Sequence, residues 1–168
     1  MNTNQLKRFA QEARIKLIDQ IGAKLEKVLT SDSVALREKA GHLKKLQEAI
    51  NKTSRKEVID TVAYTWFNRF VALRFMDVNG YEPLGISIVS PLEGGTLPVI
   101  LQEAKQGGIP EELKVNQQRI YDLLDGKISS LDAQNEAYAA LLVGACNHLS
   151  ETLPFLFEKI DDYAELLL

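Results

Sequence analysis

The stretch from Ala63 to Tyr81 decides the fold of this chain, and it reads AYTWFNRFVALRFMDVNGY. It contains Trp66, the only tryptophan among the 168 residues, and apolar side chains occupy most of its positions. At 100° per residue these side chains extend almost all the way round a helix, a pattern typical of a helix inside a core. We therefore predict a central aromatic helix in this part of the chain.

Both ends of this helix carry recognisable signals. Ser54 and Glu57 have the spacing of a capping box, in which a serine hydroxyl accepts the backbone N–H three residues later. At the other end, Asn79-Gly80 supplies a residue that readily adopts the left-handed conformation that ends many helices. The sequence thus predicts a central helix over residues 57–80.

Two arginines, Arg69 and Arg74, interrupt the apolar surface of the central helix. We favour the interpretation that each arginine either extends its charged end to solvent or, because buried charges are normally paired, forms a buried ion pair with Asp77 or the doublet Asp161-Asp162. In the alternative interpretation, the two guanidinium groups contact nucleic acid or a protein partner.

Composition indicates an ordinary globular chain. It is 45% hydrophobic and 26% charged, and no apolar run approaches the ~18 residues needed to span a bilayer. The first eight residues lack the apolar core of a signal peptide, and a single cysteine excludes an internal disulfide. These features predict a cytoplasmic protein without a membrane anchor.

Charge is distributed unevenly along the chain. Residues 1–56, the basic segment, contain 13 Lys and Arg against 6 Asp and Glu, a charge of +7, whereas residues 57–168 contain 7 against 17, a charge of −10. Such asymmetry favours an anionic partner, although a solvated helical hairpin explains it equally well. The candidate contacts to DNA or to a partner are Lys7, Arg8, Arg14, Lys44, Lys45, Arg55 and Lys56.

The basic segment has the apolar spacing of a helical hairpin. Its first helix begins at Thr3 or Asn4 and keeps apolar residues at helical spacing as far as Val28. A second helix carries such residues from Leu36 to Ile50. Two amphipathic helices that lead into a central apolar helix are typical of a bundle.

Helical character stops after the central helix. Prolines and glycines punctuate residues 81–96, which we predict as an irregular loop in which Ile86–Val89 has the pattern of a short strand. A long ordered loop in a compact domain is often functional, but it can equally be a cover over the core.

The last part of the chain, residues 97–168, returns to helical patterns. The predicted fold class is therefore all-α, a helical bundle around the central aromatic helix. The first three expected helices are Leu97–Gln106, one that starts at Pro110, and Asn116–Leu124. The fourth is capped by Asp132, runs through His148 and has a small-residue face that includes Gly144. The fifth restarts at Thr152 and carries Phe155 and Leu156.

The chain stops in this last pattern on Ala-Glu-Leu-Leu-Leu. Three exposed leucines are an unusual terminus, so we interpret the sequence as the N-terminal piece of a longer protein. In that interpretation, residues 1–168 are a single helical N-terminal domain.

Motifs for catalysis and cofactor binding are missing from the sequence. Gly94-Gly95 and Gly107-Gly108 lack the spacing of a nucleotide-binding loop, and no Asn-Pro-Pro-aromatic tetrapeptide of amino-methyltransferases occurs. Cys146 and His148 are two residues apart on a helix and so point away from each other, which disfavours a metal site. We assign no catalytic, cofactor-binding or metal-binding residue.

Three blocks of the sequence nevertheless resemble a known family. Residues 2–29, 62–81 and 139–167 are similar to the N-terminal region of the PglX family, the adenine-specific DNA methyltransferases of BREX phage-defence systems. The resemblance is most specific in YTWFNRF (64–70) and FEKIDDY (157–163). It implies a large enzyme that transfers a methyl group from S-adenosylmethionine to the exocyclic amine of adenine, with its catalytic motifs further along the polypeptide.

The resemblance leads to our principal functional hypothesis. Residues 1–168 would support the catalytic domain of the same chain and its DNA cleft, without being catalytic alone. The rival hypothesis is a protein-interaction module that docks another BREX component or a DNA-mimicking phage inhibitor. In that case the leucine terminus and the loop at 82–96 would be docking surfaces. A stand-alone helical protein is a third hypothesis, which the leucine terminus disfavours.

Overall fold

The computed structural model describes residues 3–32, 34–157 and 162–168, and over these ranges the chain is all-α, as the sequence predicts. It forms two compact units: unit 1 is Met1–Asn68 with Asp161–Leu168, and unit 2 is Arg69–Ile160. The helices of the described ranges are α1 Thr3–Thr30, α2 Val34–Glu38, α3 Ala40–Lys52, α4 Arg55–Val78, α5 Val99–Lys105, α6 Gln117–Leu124, α7 Ala133–Thr152 and α8 Asp162–Glu165.

Unit 1 contains the basic segment and the start of α4. Helix α1 begins at Thr3, as predicted, but the second predicted helix is divided into α2 and α3. The division falls at Lys39, whose N–H donates to the carbonyl of Leu36 at 3.1 Å, so that α2 closes with a tight turn. One of the two hydrogen bonds of the predicted capping box is formed: the Glu57 N–H donates to Ser54 Oγ at 3.1 Å.

The core of unit 1 includes the end of the chain. Leu166 and Leu167 are only 5% and 2% exposed, so the expectation of an exposed leucine terminus was wrong. The physical reason is that α8 packs against α3, and the turns that follow α8 direct both side chains inward. The buried apolar side chains of this unit include Ile21, Leu25, Val28, Leu46, Val58, Val62, Ala63, Trp66 and Ala164.

Helix α4 is not buried all round. Its buried apolar side chains, such as Trp66 and Leu73, repeat along one side, whereas Tyr64, Val71 and Phe75 are 47–59% exposed. Within residues 1–168, the prediction of a helix enclosed on most sides was therefore wrong, because the elements that the structure describes cover one side of α4 only.

In unit 2, the end of α4 follows the predicted glycine stop. The Tyr81 N–H donates to the Met76 carbonyl at 2.9 Å, and the Gly80 N–H donates to the Asp77 carbonyl. This is the Schellman pattern, and it requires the positive φ of 68° that Gly80 adopts. The chain therefore leaves α4 in one fixed direction, into the irregular loop.

Helix α7 begins at the predicted cap Asp132, and helix α6 begins one residue after Asn116, the predicted first residue of that helix, which acts as its cap. Asn116 accepts the Arg119 N–H at 3.0 Å, and the Asp132 side chain likewise accepts the Asn135 N–H at 3.0 Å. Helix α7 continues past the predicted end at His148.

Two predicted helices do not begin where the sequence pattern places them. Pro110 opens only a single turn, closed by the Leu113 N–H at 3.1 Å, because burial of Leu113 and packing of the following residues outweigh the local helix signal. The helix expected to restart at Thr152 does not begin there: residues 154–156 form a turn, and Phe155 is 78% exposed. Further along the same predicted stretch, residues 162–165 are helical and form α8.

The small-residue face of α7 allows a close approach by Val115 at Gly144. A Cβ atom added to Gly144 would lie 2.4 Å from Val115 Cγ1, much closer than two carbon atoms can approach. Because valine is stiff at χ1, its methyl group cannot swing away cheaply. Glycine is thus required at this position.

We expect Gly144→Ala to lower the free energy of unfolding by about 1–3 kcal/mol, because it overpacks this contact. Gly41→Ala is the matched control: Gly41 is also helical, and no atom lies within 4 Å of an added Cβ. The control should leave stability unchanged or raise it by at most about 1 kcal/mol. Chemical denaturation measures both variants, and equal effects would contradict the packing argument.

Candidate functional site

A single carboxylate holds the irregular loop of unit 2. Asp77, in the last turn of α4, accepts the N–H groups of Ile88 at 3.0 Å, Val89 at 2.9 Å and Ser90 at 2.8 Å. Both carboxylate oxygens take part, and charged acceptors make stronger hydrogen bonds than neutral ones. We call residues 82–98 the anchored loop.

The anchoring explains why Ile86–Val89 is not a strand. No described residue lies in a strand, and the loop has only an isolated bridge between Pro91 and Pro98. The amide groups that a neighbouring strand would bind are instead bound by Asp77. The strand prediction was wrong for this reason.

A tyrosine of α7 completes the anchoring. Tyr138 Oη donates to the Ile88 carbonyl at 3.3 Å, so side chains satisfy both the N–H and the carbonyl group of Ile88. The side chain of Ile88 is itself buried. Burial raises the pKa of Tyr138 to about 12, and the negative charge of Asp77 and the neighbouring Cys146 add to the rise. Tyr138 is thus protonated at neutral pH and can keep donating.

Arg74 also binds the anchored loop. Its guanidinium donates to Ser90 Oγ, and Ser90 is buried. The hydrogen bonds of Asp77 go to backbone N–H groups. Arg74 and Asp77, which the sequence suggested as members of buried ion pairs, thus both hold one loop. Sequence reasoning missed Ser90, which binds both of them, and Tyr138, which binds the Ile88 carbonyl.

Among the described residues of unit 2, Arg69 is the charged side chain that is buried, with 2% of its surface exposed. Burial raises the pKa of Cys146 to about 12, although the positive charge of Arg69 opposes the rise. The thiol of Cys146 is therefore protonated and a poor nucleophile at neutral pH. Asp161 and the side chain of Asp162 lie outside the described residues, so their pairing with Arg69 stays a prediction.

The seven candidate basic contacts all lie in unit 1 and are exposed. Three of them pair with carboxylates of the same unit, and the pairs are Arg8–Glu12 at 2.7 Å, Arg55–Glu26 at 2.7 Å and Lys44–Glu48 at 3.9 Å. Exposed pairs of this kind contribute only about 0–1 kcal/mol, so a phosphate or another carboxylate could replace the internal partner at little cost.

The remaining basic side chains differ in their surroundings. Lys45 has an interaction of its own, whereas Lys7, Arg14 and Lys56 form no ion pair with any residue that the structure describes. The charge of these three side chains is available to an external anion. The basic segment therefore presents exposed positive side chains on α1, on α3 and at the start of α4.

Two features are not found among residues 3–32, 34–157 and 162–168. Within these ranges no group of three or more His, Cys, Asp or Glu side chains converges on one point. None of the helices described is both long enough and apolar enough to cross a bilayer.

Comparisons with known proteins connect the chain to a class of enzyme. No protein-family model matches it. It is 33% identical over 201 residues to the adenine-specific methyltransferase PglX of Lacticaseibacillus casei (strain Zhang), a match that covers 99% of this chain and 16% of the relative. It is also 32% identical over 194 residues to the adenine-specific methyltransferase BrxX of Escherichia coli O9:H4 (strain HS), covering 100% of this chain and 15% of that relative.

Both matches are to proteins named adenine-specific methyltransferases. Along essentially its whole length, the chain is a PglX/BrxX-like sequence that matches an N-terminal region of such proteins. The chain spans about one sixth of the length of the curated relatives it matches.

We expect Asp77→Ala to release the anchored loop. The N–H groups of residues 88–90 lose their acceptor, so the free energy of unfolding should fall by about 1–3 kcal/mol, and amide hydrogen exchange at these residues should accelerate. Glu93→Ala, an exposed position in the same loop, is the control. Exchange at residues 88–90 that is unchanged by Asp77→Ala would refute the anchoring role.

Proposed function

We propose that residues 1–168 form the N-terminal helical domain of an adenine-specific DNA methyltransferase of a BREX phage-defence system. The observation that carries this proposal is the match along essentially the whole chain to two proteins named adenine-specific methyltransferases. The full-length enzyme would transfer the methyl group of S-adenosylmethionine to the exocyclic amine of adenine, and it would do so with residues outside this region.

Within that enzyme, the domain would support the catalytic domain and the DNA cleft. The chemistry of the described side chains agrees with a supporting role. Tyr138 and Cys146 have pKa values raised to about 12 by burial, so neither is a base or nucleophile at neutral pH. Asp77 uses both oxygens to hold backbone N–H groups, which makes it an anchor for a loop.

The basic segment would contribute contacts to the DNA backbone. Its candidate side chains are exposed, and those in ion pairs are held weakly. Lysine and arginine contacts to phosphates position a protein on DNA without reading its sequence. In this proposal, base recognition belongs to another part of the enzyme.

A second candidate function is docking of an acidic protein, either another defence component or a DNA-mimicking phage inhibitor. One observation favours it: Arg8, Lys44 and Arg55 already bind carboxylates of this chain. The same side chains could bind the carboxylates of a partner.

Methyl transfer by the purified full-length enzyme tests the assignment. Incubated with duplex DNA and S-adenosylmethionine, it should methylate adenine, and mass spectrometry of the digested DNA identifies the modified base. Omission of S-adenosylmethionine is the control. Methylation of cytosine, or no methylation under conditions in which the enzyme binds DNA, would refute the proposal.

Charge reversal tests the role of the basic segment. In the full-length enzyme, K44E/K45E should weaken DNA binding and reduce the slope of log affinity against log salt by about 2, because two phosphate contacts are lost. The variant K105E/K114E changes the net charge equally, outside the basic segment, and should leave the slope unchanged. If K44E/K45E binds DNA normally but loses an acidic partner protein, the docking function is the correct one.

A further inference from the structure

An exposed apolar row lies on α4, opposite the side that is packed in unit 2. Val71, Phe75 and Val78 are 47%, 59% and 58% exposed, and they fall within about 60° of one another at 100° per residue. Tyr81, just beyond the helix end, is 59% exposed. Leu73, half a turn away from this row, is fully buried. We call Val71, Phe75, Val78 and Tyr81 the α4 stripe.

The α4 stripe is held in one conformation by its surroundings. The ring of Tyr81 lies against that of Phe75 at 6.2 Å between centroids, and the Schellman hydrogen bond from the Tyr81 N–H fixes its backbone. Asp77, on the other side of the helix, ties the same turn to the anchored loop. A partner would therefore meet a preorganised surface, which reduces the entropy lost on contact.

The chemistry of the α4 stripe suits a protein surface. Single apolar side chains are common on protein exteriors, but a contiguous row on a rigid helix marks an interaction site. The stripe contains no charged side chain, and its neighbour Arg74 already donates to Ser90. A phosphate backbone would find no cation within the stripe itself, whereas an apolar helix or sheet face would bury aromatic and aliphatic surface.

We infer that the α4 stripe packs, within one molecule, against an apolar face of the polypeptide that lies outside residues 1–168 of the full-length enzyme. This inference rests on the proposed function, which assigns the chain to a larger enzyme. The region matched accounts for only 16% and 15% of the two relatives, so most of such a polypeptide is available to cover the stripe. The helical sequence pattern, apolar on nearly all sides, is that of a helix covered on both faces.

Hydroxyl-radical footprinting of the wild-type full-length enzyme tests this inference. Oxidation rates of Phe75 and Tyr81 are measured by mass spectrometry in the native and the urea-unfolded protein, and Trp66, which is fully buried, is the internal reference. In the monomeric fraction without DNA, the oxidation rates of both rings should be about tenfold or more below those of the unfolded protein. The reason is that packed interfaces exclude solvent as protein interiors do.

Every other result overturns the inference. Protection below that level means that the stripe is open, protection that appears only on addition of DNA assigns it to nucleic acid, and protection that grows with protein concentration assigns it to a second copy. F75S should expose Tyr81 in the full-length enzyme, whereas F155S, at another exposed phenylalanine, should not. Methyl transfer measured on the same preparation separates the two proposals, because protected rings in an enzyme without adenine methylation would refute only the proposed function.

Discussion

The structure of unit 2 depends on one carboxylate. A loop without regular secondary structure must still satisfy its backbone N–H groups wherever it is buried, and Asp77 does this for three consecutive residues. The loop in turn provides carbonyl groups to the start of α5: the Ser90 carbonyl accepts the Val99 N–H at 3.0 Å, and the Ser87 carbonyl accepts the Ile100 N–H at 3.1 Å. The first turn of α5 therefore depends indirectly on a side chain of α4.

The sequence predicts structure well where the determining interactions are local. The caps at Ser54, Asn116 and Asp132 each bind an N–H group three residues later, and Gly80 ends α4 through its own conformation. All of these signals lie within a few residues of the element they define. For the same reason the all-α fold class was predictable from periodicity alone.

Prediction failed where distant residues decide. At Pro110 a single turn forms in place of the expected helix, because of the packing of the residues after it. At Ile86–Val89 the expected strand does not form, because Asp77 binds the backbone N–H groups. Of the residues that hold the anchored loop, the sequence pointed to Asp77 but not to Tyr138. Tyr138 binds the Ile88 carbonyl from 50 residues away along the chain. The exposure of the candidate basic side chains could be predicted. The carboxylate that each of them binds could not, because it depends on rotamers and on neighbouring helices.

The buried thiol of unit 2 has a practical consequence for spectroscopy. Cys146 is the single cysteine of the 168 residues, it is 1% exposed, and its pKa is raised to about 12 by burial. Maleimide and similar reagents attack thiolates that they can reach, so the folded region contributes almost no background labelling. A fluorophore or spin label attached at one engineered surface cysteine of this region would then report on its own position, with the native residue left in place.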